Sequence, residues 1–116
     1  MCGGRDYRDE ARVSRVLDQL VMAMAESGEH LSCIIHGDAP GADTLANNWA
    51  KRRGIPIEKF PANWKRYGRG AGPRRNARMI AEGLPELAIA FPGGRGTADM
   101  VSKCHDAWVS VTEVPR

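Results

Sequence analysis

Short apolar runs of strand length alternate with amphipathic stretches of helical period along almost the whole chain, and that alternation leaves few folds open. Val13, Val16, Leu17, Leu20, Val21 and Met24 recur at helical spacing, and Gly28 supplies a stop. Leu31 to Ile35 reads as a strand. Ala42, Leu45, Ala46, Trp49 and Ala50 form a second helical stripe closed by Gly54, and Ile55 to Phe60 reads as a strand with Pro56 at its beginning or edge. A basic loop then leads to a helix expected over Pro73 to Glu82, with proline in its first turn and Gly83 at its end. Leu87 to Phe91 is the next strand. A helix over Thr97 to Trp108 follows, with Val101, Cys104 and Trp108 on one face, and Val109 to Val114 closes the chain as a strand.

Strands separated by helices imply right-handed crossovers and a mostly parallel sheet, and fully apolar runs suit strands covered on both faces. With 116 residues and no linker, repeat or low-complexity tract, the chain is expected to be one domain. The expected fold is a single Rossmann-like α/β domain with helices on both faces of the sheet. The first glycine pair should follow a strand, yet only Met1 and Cys2 precede it. The first strand is therefore expected to be very short, or the N-terminus to be trimmed.

Hydrophobic residues make up 42% of the chain and charged residues 27%, an ordinary balance for a globular protein. No apolar run approaches the ~18–20 residues of a membrane-spanning helix. The start, Met1 to Asp6, has neither the basic residues nor the apolar stretch of a signal peptide, so a cytoplasmic location is expected. Cys2, Cys33 and Cys104 are far apart and form no CxxC, which argues against a disulfide framework and a zinc site. Cys33 and Cys104 read as small core residues. His36 and His105 have no partners at ligand spacing, and no metal or cofactor is expected. The net charge of +3 favours an anionic partner, and six of the 17 Lys and Arg residues lie between Lys65 and Arg78.

Open α/β sheets bind ligands outside the carboxyl ends of their strands. Three unusual loops fall at such positions: Gly3-Gly4-Arg5-Asp6, His36 to Asp43, and Pro92-Gly93-Gly94-Arg95-Gly96-Thr97. Glycines let backbone N–H groups approach phosphate oxygens, and a helix starting at once adds free donors and a positive dipole end. Gly37, Gly41, Gly93, Gly94, Gly96 and Thr97 are accordingly expected on one cleft, with Arg5 and Arg95 adding forked charge. The spacing matches neither GxGxxG nor GxxxxGK[ST], so neither a dinucleotide cofactor nor triphosphate hydrolysis is expected. Asp43 suits capping and a ribose hydroxyl equally well. Asp38 reads as a turn residue and Trp49 as core, whereas Trp64, in the basic loop with Tyr67, suits covering a base.

Gly-Gly-Arg-Asp-Tyr at 3–7, His-Gly-Asp-Ala-Pro-Gly-Ala-Asp at 36–43, Gly-Pro-Arg-Arg-Asn-Ala-Arg-Met at 72–79 and Phe-Pro-Gly-Gly-Arg-Gly-Thr-Ala-Asp-Met at 91–100 together resemble the SLOG superfamily. The nearest branch is the YspA, YpsA-related group of bacterial and phage proteins. The resemblance implies a Rossmann-like fold, a nucleotide or nucleotide-derived ligand, acting as a sensor's cue or a substrate, and a homodimer. Related LOG phosphoribohydrolases cleave the N-glycosidic bond of nucleoside monophosphates with PGGxGTxxE and an upstream arginine. Pro92 to Thr97 match the glycine part, and Arg75 with Asn76 resembles the arginine region, which makes Arg75 the candidate catalytic residue. The glutamate position is Met100, which neither takes a proton nor stabilises an oxocarbenium ion, so weak or no such hydrolysis is expected. Asp99 lies about 100° around the helix from it. A more distant SLOG relative loads single-stranded DNA, a role the basic stretch with Trp64 and Tyr67 also suits, although the modest net charge disfavours it.

Overall fold

The computed structural model describes all 116 residues. Helix α1 (Glu10–Glu26) starts where the Asp9 carboxylate accepts the Arg12 amide at 3.0 Å, and it stops at Gly28, whose φ of +75° only glycine takes without strain. Strand β1 (Ile34–His36) pairs in parallel with β2 (Ile57–Lys59), across helix α2 (Ala42–Arg53). Strand β1 begins three residues later than its apolar run. The Ile34 amide bonds the carbonyl of Pro56, and proline has no N–H to carry the ladder back, so Leu31 packs on α1 from a loop.

Beyond β2, a short helix α3 (Trp64–Tyr67) and a 3-10 turn (Gly68–Gly70) lead into α4 (Ala71–Gly83). Strand β3 (Leu87–Ala90) pairs in parallel with β4 (Ser110–Glu113), across α5 (Arg95–Asp106). Two helix ends differ from expectation. In α4 the left-handed residue is Leu84, not Gly83, because a Cβ on residue 83 would lie 3.2 Å from Ile35 Cδ1. Gly83 serves close packing instead. Helix α5 ends at Asp106, so Trp108 leaves the apolar face, takes φ +60° and is 95% exposed.

The architecture is α/β, with two small parallel sheets, β1–β2 and β3–β4, where one sheet was expected. Met1 and Cys2 lie between them. The Met1 amine donates to Ile35 O at 3.0 Å, Cys2 N donates to Ile89 O at 3.0 Å, and Phe91 N donates to Cys2 O at 3.0 Å. A single parallel bridge, Cys2 to Ala90, is too short to count as a strand.

Neighbouring strand residues face opposite sides, as strand geometry requires. Ile34 and Ile89 join Val13, Leu17, Ala46 and Trp49 under α1 and α2, whereas Ile35 and Ala88 join Phe60, Met79, Met100 and Cys104 under α4 and α5. Helices thus cover both faces. Trp49 is core as expected, with its indole N–H donating to Asp18 Oδ1 at 3.0 Å.

Candidate functional site

The three glycine-bearing loops meet beyond the carboxyl ends of β1, β3 and the N-terminal residues. The first loop is held between the other two: Gly4 N donates to Pro92 O at 2.9 Å, and Ala42 N donates to Gly4 O at 3.1 Å. Side chains would not fit at this seam. A Cβ on Gly4 would lie 2.8 Å from Pro92 O, and one on Gly93 would lie 2.7 Å from Gly4 N. Gly41 has φ +81° and ψ −125°, and its Cβ would fall 2.6 Å from the backbone of Arg5. Gly41→Ala is therefore expected to destabilise the fold by at least the ~1–3 kcal/mol of backbone strain. Chemical denaturation reads this as a lower midpoint at unchanged slope.

The second loop is braced from inside. Asp43 is only 6% exposed, and its Oδ2 accepts Gly37 N at 3.1 Å and Ala39 N at 3.3 Å. Asp43 therefore caps the loop ahead of it rather than its own helix. Its other oxygen, Oδ1, is buried without a hydrogen-bond partner. His36 is buried; its Nδ1 accepts Asp38 N at 2.9 Å, which leaves Nε2–H to donate to Asn47 Oδ1 at 2.9 Å. This neutral tautomer holds Asp38 at φ +56°. The histidine is a loop brace, and Asn47, which the sequence reading missed, is its partner.

The Arg75 guanidinium lies over Gly37, where a Cβ would collide with it. Arg75 Nη1 donates to Gly37 O at 2.6 Å and Nε donates to Asn76 Oδ1 at 2.9 Å. Burial pulls this guanidinium below its ordinary pKa and nearby Arg5 adds to that, while the Asp43 carboxylate opposes them. An arginine stays charged regardless. Buried Asn76 passes the connection on, its Nδ2 donating to Gly96 O at 3.2 Å and to Asp99 Oδ2 at 3.0 Å. Lys103 Nζ donates to Asp99 Oδ1 at 2.6 Å. Burial would raise the Asp99 pKa, but the bonds from Lys103 and Asn76 outweigh it and hold the carboxyl below its usual range.

Position 100 does not face this network. Met100 is 3% exposed and packs with Phe60, Met79, Ala88 and Cys104. Asp99, not residue 100, borders the cleft. The phase of α5, which starts at Arg95, turns residue 100 into the core and residue 99 outward.

The cleft encloses about 560 Å³. Gly3, Gly4 and Arg5 line it from the first loop, Gly37 and Asp43 from the second, and Gly94, Arg95, Gly96 and Thr97 from the third. Arg75 and Asn76 line it from α4. Gly41 and Gly93 do not; they sit in the seam between loops. Trp64, expected to suit covering a base, borders the cleft, and so do Arg69, Gly72 and Asp99, which were not among the expected binding residues. The N-termini of α2, α4 and α5 have no side-chain cap, but Ala42 N bonds Gly4 O, Ala71 N bonds Gly68 O and Pro73 has no N–H, so the free first amides are chiefly those of α5. Cys2 also lines the cleft, and burial pushes its thiol up to about 11, so it is a neutral thiol.

The basic run 65–78 divides by function. Arg69 and Arg75 border the cleft. Arg66 and Arg74 lie against the Tyr67 ring at 5.1 and 4.3 Å, and Arg78 pairs with Glu82 at 2.8 Å. Trp64 stays 48% exposed, with Arg5 over its ring at 5.6 Å.

Residues 1–67 match the family model described as the YspA, cpYpsA-related SLOG family. That span holds the first two glycine loops and Trp64, and ends before α4 and the third loop. The chain is similar to Gene 61 protein of Mycobacterium phage D29, with 34% identity across 94% of this chain and 89% of the phage protein. No solved structure gives a significant match. The loop motifs, the order in which they occur and these two matches agree: the chain belongs to the YspA, cpYpsA-related SLOG family.

Proposed function

We propose that the cleft binds a nucleotide or nucleotide-derived phosphorylated molecule, with phosphate on the loop amides and the base against Trp64. The observation that carries this reading is the convergence of the uncapped N-terminus of α5 and two further glycine-bearing loops with Arg5, Arg69, Arg75 and Arg95 on one cleft. Free amides and helix dipoles favour an anion there, and forked guanidinium donors match phosphate geometry. Arg75 has five N–H donors, two of them used within the protein, so three remain for a ligand. In this reading the Gly94–Thr97 amides hold the phosphate, Gly3, Gly4 and Gly37 leave room for it beside them, and Gly41 and Gly93 let the loops close on one another. Met1 and Cys2 then act as the shortest central strand of a single Rossmann-like sheet, in the order β2, β1, N-terminus, β3, β4. A cytoplasmic homodimer completes the proposal.

Mononucleotides tested by thermal shift should raise the melting temperature, by the equivalent of about 2.7 kcal/mol at a hundredfold excess over Kd. Single-stranded DNA should bind weakly and be lost at moderate salt, because Tyr67 is flanked by arginines and Arg78 is paired. Tight DNA binding, with about 0.7 log units lost per phosphate contact for each tenfold rise in salt, would overturn this ranking.

Phosphoribohydrolase action is the second reading, favoured by the presence of Asp99 on the cleft beside Arg75 and Asn76. Both Asp99 oxygens already accept hydrogen bonds, from Lys103 and Asn76. Binding without release of free base is the expected outcome.

A further inference from the structure

We infer that Asp43 Oδ1 is the acceptor for a hydroxyl of the bound molecule, so that the cleft selects phosphorylated sugars carrying that hydroxyl over their deoxy counterparts. The inference rests on the phosphate-binding reading and adds a specificity residue to it.

The two oxygens of Asp43 are treated differently by the fold. Oδ2 takes two backbone amides, from Gly37 and Ala39, and that pair of bonds is enough to hold the loop. Oδ1 is buried, has no partner, and belongs to a residue of the cleft wall. A buried carboxylate oxygen left unpaired is unfavourable, and buried polar atoms nearly always find a donor. The nearby guanidinium of Arg75 has its Nε and one Nη1 hydrogen committed to Asn76 and Gly37.

The surroundings restrict what kind of donor can serve. Arg5, Arg69, Arg75 and Arg95 border the same cleft, so a cationic donor is opposed by four like charges. A neutral hydroxyl is not opposed, and it is welcome on a molecule whose anionic part satisfies the arginines. An anion and a neutral O–H on one small molecule describe a phosphorylated sugar, ribonucleotides included. A site built to hydrogen-bond a hydroxyl rejects the analogue lacking it, because its own polar group is then left unpaired.

Asp43→Asn separates this role from loop bracing. The amide oxygen of asparagine can still accept Gly37 N and Ala39 N, while the position of Oδ1 becomes an N–H donor. The probes are the four ribonucleoside 5′-monophosphates with their 2′-deoxy and 3′-deoxy forms, titrated calorimetrically into wild type and Asp43→Asn. In the wild type, at least one deoxy series should bind about tenfold or more weakly than the ribo series. In Asp43→Asn that ratio should fall toward one, with the deoxy affinity little changed. Equal affinities for ribo and both deoxy forms in the wild type would overturn the inference while leaving phosphate binding intact, and this arm stands even if the variant does not fold. A wild-type preference that persisted unchanged in Asp43→Asn would also overturn it. Failure of every nucleotide to bind would remove the proposed function, and this inference with it.

Discussion

Met100→Glu should lower the melting temperature by about 10–20 °C and bring no hydrolytic activity. By motif alignment, position 100 is where related phosphoribohydrolases carry their glutamate, so the substitution looks like a restoration. Its surroundings say otherwise: Phe60, Met79, Ala88 and Cys104 offer a carboxylate no partner. An uncompensated charge in such a site costs on the order of 3–5 kcal/mol, a large part of the ~5–15 kcal/mol that stabilises a domain. At this chain length each kcal/mol shifts the transition by roughly 4 °C. Met100→Leu, which keeps volume and polarity, should cost less than about 1.5 kcal/mol. Differential scanning calorimetry of the two variants separates charge from packing. A Met100→Glu protein as stable as wild type would mean that the α5 face is rotated from the one described.

Arg75→Ala should weaken nucleotide binding by about a hundredfold or more while leaving the chain folded. The side chain joins loop and helix through Gly37 O and Asn76 Oδ1, and its remaining donors border the cleft. Truncating a desolvated charged donor costs about 2–5 kcal/mol of binding. Loss of its internal bonds should reduce stability by only about 1–2 kcal/mol. Arg75→Lys should fall between, because an ammonium keeps the charge and lacks the fork. Isothermal titration of a nucleoside monophosphate into the three proteins checks this. Wild-type affinity in Arg75→Ala would move the anion to the other arginines and the loop amides.

Most of the element order could be read from hydrophobic period alone, because α1, α2 and both strand pairs each carry one clear apolar pattern. What could not be read came from tertiary packing. Gly83 looks like a helix stop, yet its missing Cβ answers to Ile35 across the core, and Leu84 takes the left-handed turn. Trp108 looks like part of an apolar helix face until α5 ends two residues earlier. The first strand is hard to read because it consists of Met1 and Cys2 alone, held by three backbone hydrogen bonds, and two residues are too few to show an apolar pattern.

The site was legible to a similar degree. Glycines beside strand ends marked the three loops, since close backbone approach leaves a compositional trace. Arg69 left none, because a charged residue in a basic loop is most often solvated surface, and Asp99 stood out only as the neighbour of the glutamate position. Asp43 was visible as a carboxylate beside a helix start, but nothing in its spacing separated the oxygen that braces Gly37 and Ala39 from the one buried without a partner.

A crystal of this protein soaked with a ribonucleoside 5′-monophosphate locates the bound nucleotide directly. Phosphate density should lie within hydrogen-bond reach of the Gly94–Thr97 amides and the Arg75 guanidinium, with the base toward Trp64. Nucleotide density at the apolar groove lined by Leu20, Leu31 and Leu84, with the loop cleft bare at saturating ligand, would contradict this placement.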